Sequence, residues 1–116
     1  MIGILDGTIM EYTYSEMGTV RVSYQKGCIS FEWLAGPIEG ETGLDFPYRA
    51  RKVGPDQFFV NWHEPELPGF VTLYIDFDVG HVHSSVLAGY ASEDEQIHFD
   101  IASIDRVERR QHARDT

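Results

Sequence analysis

Tyr12-Thr13-Tyr14, near the start of the chain, and Asn61-Trp62-His63-Glu64-Pro65, near its middle, hold the residue types from which proton-transfer chemistry is built. Side chains on an extended strand repeat with period two, so Tyr12 and Tyr14 share one face and Trp62 and Glu64 share another. A phenol is a long, rigid donor, and two on one strand can hold a carboxylate or another oxyanion. Glu64 can donate or accept a proton if apolar surroundings raise its pKa toward the working pH. Trp62 on the same face would exclude water and stack against a planar ligand. Tyr12, Tyr14 and Glu64 are therefore the expected catalytic residues. The same letters also describe tyrosines packed in a barrel core and a glutamate at a strand end before Pro65.

Other chemistries have weaker footing. His81 and His83 have the spacing that places two imidazoles on one strand face, with His63 or His98 able to approach from elsewhere, but a metal site needs further ligands. Cupin-type metal sites usually carry a glutamate soon after the paired histidines, whereas Ser84-Ser85-Val86-Leu87-Ala88-Gly89 follows here. No metal ligand is assigned. Asp76 and Asp78 share a face, yet two oxygen ligands do not make a calcium or magnesium site. Arg49 and Arg51 share a face with Pro47 and Val53, which suits either carboxylate recognition or an exposed basic stripe. There is no phosphate-binding glycine loop, and Ser84 and Ser85 beside His83 form no nucleophile elbow. No cofactor is expected.

The elements that must position these groups are strands. Short runs rich in branched and aromatic residues, separated by glycine, proline or acidic turns, predict strands over 7–14, 19–25, 28–34, 46–53, 57–64, 70–77, 80–88 and 95–102. Met10, Tyr12 and Tyr14 alternate with Glu11 and Thr13, Ile29, Phe31 and Trp33 with Ser30 and Glu32, and Ile97, Phe99 and Ile101 with His98 and Asp100. This predicts an all-β fold of about eight antiparallel strands, closed into a small barrel in preference to a two-sheet sandwich. Phe31, Trp33, Tyr48, Val60, Trp62 and Leu73 are the expected ligand-contacting residues. Residues 35–43 are rich in backbone breakers and read as a loop over one barrel end. Residues 1–105 read as the single domain and 106–116 as a basic tail. Near Ser103 either a short helix begins or the last strand runs on and frays.

The formal net charge is −10, from 19 acidic and 9 basic residues. Four of the basic residues lie after position 105, so the preceding body, with 17 acidic and 5 basic groups, carries −12. Such a body repels nucleic acid and anionic membranes. Cys28 is the only cysteine, which excludes an internal disulfide and multi-thiolate zinc sites. With no signal-peptide pattern and no apolar run near the roughly 20 residues that cross a bilayer, a reducing cytoplasm is the expected setting.

The order and separation of Tyr12-Thr13-Tyr14 and Asn61-Trp62-His63-Glu64-Pro65 resemble the phenolic acid decarboxylase family and the related MoaF-like calycin domains, loosely from Gly7 to Phe99. Tyr48-Arg49-Ala50-Arg51-Lys52-Val53 and Val71-Thr72-Leu73-Tyr74-Ile75-Asp76-Phe77 look closer to the MoaF-like branch. The resemblance implies a lipocalin-like barrel with a ligand cavity, often a homodimer. In the decarboxylase branch it implies a hydroxycinnamate that loses carbon dioxide without metal or organic cofactor, with Tyr12 and Tyr14 matching the tyrosine pair and Glu64 the acidic residue. The family's arginine is missing: Ala35-Gly36 is followed by Pro37, and gap-free placement puts Glu41 at the arginine's position. The expectation is a cytoplasmic MoaF-like barrel binding a planar or aromatic small molecule. The alternatives are a cofactor-independent lyase on a hydroxyaryl acid, or a dimeric structural or accessory protein.

Overall fold

Eight strands form one antiparallel meander: β1 (Thr8–Tyr14), β2 (Gly18–Gln25), β3 (Cys28–Ala35), β4 (Thr42–Gly54), β5 (Gln57–Glu64), β6 (Gly69–Asp76), β7 (His81–Ala88) and β8 (Gln96–Arg109). The computed structural model describes residues 3–110. Each strand pairs with its sequence neighbours, and β1 pairs with β8 from Thr8↔Arg109 to Tyr14↔Ala102, which closes the sheet into a barrel. That last ladder excludes the sandwich: closure leaves no edge strand with unpaired backbone groups.

Two elements differ from the sequence reading. β4 starts at Thr42, inside the segment read as loop, because Phe31↔Gly43 and Glu32↔Thr42 extend the ladder to β3. Gly43 is at home there: a Cβ would run into the rings of Phe31 and Phe46, so only a glycine lets both aromatics lie over it. Residues 103–109 continue β8 and form no helix. The threefold spacing of Ile101, Ile104 and Val107 yields to the ladder, since β1 would otherwise expose a row of donors and acceptors. Of the basic tail, 111–116 lies outside the described residues.

The interior divides into a packed half and a hollow half. In the packed half Met10, Tyr24, Ile29, Val60, Ile75 and Val82 are all 1% exposed or less. The turn before β1 plugs that end. Tyr48 donates its hydroxyl to Asp6 Oδ1 at 2.7 Å and accepts the Leu5 N–H at 3.0 Å, while Asp6 also accepts N–H groups from Gly3 and Gly27. The Tyr24 ring sits edge-on to Tyr48 with centroids 4.9 Å apart. At the opposite end Gly18 and Gly36 have φ of 89° and 107° and let the β1–β2 turn cross the end of β3, where a Cβ on either would strike the other's backbone.

Candidate functional site

The hollow half holds a cavity of about 370 Å³ that opens at the end of the barrel carrying the β1–β2, β3–β4, β5–β6 and β7–β8 connections. Period-two alternation brings Tyr12 and Tyr14 inward from β1, Phe31 and Trp33 from β3, Trp62 and Glu64 from β5, and Val71 and Leu73 from β6. The bulge between Glu11 and Tyr12 in the β1–β8 ladder spends an extra residue, Asp105, on β8, so β1 keeps its inward parity past it.

Glu64 is 6% exposed and its Oε2 accepts the Trp62 indole N–H at 2.6 Å. Burial raises its carboxyl pKa; the Trp62 donor and the neighbouring His63 pull against that rise without cancelling it. A carboxyl raised in this way keeps its proton to higher pH than a free glutamate does, as a general acid must. The Tyr12 and Tyr14 rings lie edge to face, with centroids 5.8 Å apart. Burial holds the Tyr12 hydroxyl well above the ordinary phenol value, with help from Tyr14 and Tyr24. Burial pushes Tyr14 up to about 12, against the Ser84 hydroxyl beside it and together with Asp100. Both phenols therefore stay protonated. Trp33 lies 6.2 Å from Tyr14, and Phe31 lies 6.4 Å from Trp62, so aromatic faces form one wall.

The structure thus gathers Tyr12, Tyr14, Glu64, Trp62, Phe31, Trp33 and Leu73 around one hollow. Tyr48 and Val60 do not reach it; both are buried in the packed floor, and the Tyr48 hydroxyl is occupied by Asp6 and Leu5. The physical reason is depth: period two fixes the face a residue points to, but not its height along the barrel axis. Arg49 and Arg51 lie on the outer face, where Arg49 bonds Asn61, so neither brings a cation into the hollow.

Sequence reading missed Ser84, His98, Asp100 and Glu66 on the lining. Ser84 was visible in the alternation of Val82, Ser84 and Val86. His98 and Asp100 were hidden by their neighbours. Ile97, Phe99 and Ile101 look like an inward face, yet they are 72%, 84% and 49% exposed. Register with β7, Val82↔Ala102 and Ser84↔Asp100, forces the polar set inward. His81 and His83 meet on the barrel wall with ring centroids 6.4 Å apart, and among the described residues no three His, Cys, Asp or Glu side chains converge as a metal site. No helix is long and apolar enough to cross a membrane among the described residues.

No family model matches the chain. No curated protein matches it either. Among solved structures it is similar to a protein from Burkholderia vietnamiensis described as a "putative beta-lactamase", with TM-score 0.77 and 20% identity over 93% of this chain and 99% of that one. Identity at that level establishes the shared barrel fold and nothing finer. The match nevertheless corrects the resemblance to MoaF-like and phenolic acid decarboxylase-related calycins: the chain superposes over nearly its full length on a protein described in other terms, and no family model ties it to that group. The reading as a MoaF-like, lipocalin-like carrier of planar or aromatic molecules falls with it. Short pieces such as Tyr-Thr-Tyr and Trp-His-Glu follow from two-residue alternation in any aromatic-lined barrel, so they carry fold more than ancestry.

Proposed function

We propose that the hollow is an active site, and that the protein is a cofactor-independent lyase acting on a hydroxyaryl acid. The observation that carries this reading is a buried carboxyl of raised pKa, Glu64, facing the same cavity as two protonated phenols. In such a site Tyr12 and Tyr14 donate to the substrate's oxyanion, and the aromatic wall of Phe31, Trp33 and Trp62 holds the ring. Glu64 delivers a proton to the carbon that loses its carboxylate: the C–C bond breaks, carbon dioxide leaves, and the bonding pair takes that proton. The solved structure's description as a beta-lactamase agrees with an enzymatic use of the barrel, but the side chain recorded against Ser84 is the protonated phenol of Tyr14, which is no general base, so a serine acyl-transfer route is not proposed. Release of carbon dioxide from a panel of hydroxyaryl acids tests the assignment. Wild type should turn over at least one of them, and Glu64→Gln should lose about a hundredfold or more in rate with its fold intact. No turnover across the panel would reject the lyase.

A homodimer through the outer face of β8 is part of the same proposal. Ile97, Phe99 and Ile101 form an exposed apolar row beside Leu87 on β7, and a second copy is the partner that would cover it. Light scattering should give a dimer for wild type and a monomer for Phe99→Glu; a monomeric wild type would dismiss the interface.

A further inference from the structure

The four connections at the mouth of the cavity carry acids and no base. The β1–β2 turn holds Glu16, the β3–β4 connection Glu39 and Glu41, and the β5–β6 connection Glu66. The β7–β8 connection adds Glu93, Asp94 and Glu95, and none of the four contains a lysine or arginine. The basic residues of the described chain lie elsewhere: Arg21, Arg49 and Arg51 on strands facing out, Lys26 and the exposed Lys52 toward the plugged end, and Arg106, Arg109 and Arg110 at the end of β8.

The same sign continues inward. Glu41, Glu66 and Asp100 line the cavity above the Glu64 carboxyl, and neither lysine nor arginine lines it among the described residues. Glu64 lines the hollow and is 6% exposed; its Oε2 is engaged by Trp62, and its Oε1, on the side of Gly69, has no hydrogen-bond partner among the described residues. Trp33, Trp62, Phe31 and Tyr14 add π-faces, which attract ammonium groups. A funnel of one sign above low-dielectric walls concentrates ions of the opposite sign. A metal ion is a poor match, because the carboxylates surround a space and do not converge at coordinating distance. The space fits a bulkier organic cation.

We infer that the substrate carries a positively charged amine in addition to its hydroxyaryl ring, so that a hydroxyaryl acid enters this barrel as a zwitterion and not as a bare anion. The inference rests on the lyase reading of the same cavity and names the charge class of its substrate. The phenols of Tyr12 and Tyr14 take the carboxylate, and the acidic mouth with Asp100 takes the ammonium, which leaves the protonated Glu64 to its role as acid.

Binding is measured by calorimetry and by tryptophan fluorescence, using 4-hydroxyphenethylamine, 4-ethylphenol and 3-(4-hydroxyphenyl)propionate as amine, neutral and acid probes on the same ring. The amine should bind about tenfold or more tightly than the neutral probe, and the acid more weakly than both. Salt should erode the amine's advantage. Glu41→Gln with Glu66→Gln should reduce the amine's advantage while leaving the neutral probe's affinity unchanged. Equal binding of amine and acid, tighter binding of the acid, or no binding of the amine at millimolar concentration would overturn the inference. Carbon dioxide release, read separately, keeps the two claims apart: turnover without amine preference ends the charge assignment and leaves the lyase, whereas amine preference without turnover does the reverse.

Discussion

Trp62→Phe should destabilise the barrel by an amount that grows with pH. The indole N–H is the sole donor to Glu64 among the described residues, at 2.6 Å, and Trp62 is 5% exposed. Two costs separate by their pH dependence. Loss of part of the indole's packing is a fraction of the roughly 3–5 kcal/mol of a full truncation to alanine and does not depend on pH. Loss of the hydrogen bond costs about 0.5–1.5 kcal/mol when Glu64 is neutral and about 1.5–3 kcal/mol when it is ionised. The folded carboxyl has its pKa raised above the unfolded value, so the folded state holds the proton more tightly. Stability therefore falls as pH climbs from the unfolded value through the folded one. Removing the donor raises the folded value further and deepens that fall. Urea unfolding of both proteins from about pH 4 to about pH 8 should show the Trp62→Phe penalty growing by about 1 kcal/mol across the range. In thermal melts that increment is about 4 °C for a domain of this size. In a Glu64→Gln background the penalty should be flat. A penalty independent of pH in the wild-type background would mean that Glu64 does not ionise against the indole, and the proton-transfer role would lose its basis.

Tyr48→Phe removes the donor to Asp6 and leaves the Leu5 N–H without its acceptor, and should cost about 2–4 kcal/mol in urea unfolding. Because Tyr48 sits below the cavity, probe binding should stay within twofold of wild type; a large change in binding with little loss of stability would move Tyr48 into the site. Gly18→Ala places a side chain at φ 89° against the Ala35 carbonyl and should lower stability by about 2 kcal/mol or more, read from the same unfolding curves. A neutral result would show that the crossing of the β1–β2 turn over β3 can relax.

Much of this molecule is local in origin and was therefore legible in its residues. The alternation of Met10, Tyr12 and Tyr14, and of Phe58, Val60, Trp62 and Glu64, is set by the pleat of each strand, so the all-β class and the shared faces of the phenols and of the indole with the carboxyl need no tertiary information. The acidity of the body is likewise a matter of counting. Tertiary structure alone decided closure, depth and the parity of the last strand. Closure depends on β1 meeting β8, with partners from Tyr14↔Ala102 to Thr8↔Arg109 at opposite ends of the chain. Depth depends on where the plug of Leu5, Asp6 and Tyr48 ends and the hollow begins, which put Tyr48 and Val60 in the floor while Trp62, two residues beyond Val60, reached the cavity. Parity in β8 was decided by its ladder to β7, which turned His98 and Asp100 inward and left Ile97, Phe99 and Ile101 outside against their own hydrophobicity. A strand's pattern names two faces, but only its pairing partners choose which one is inside.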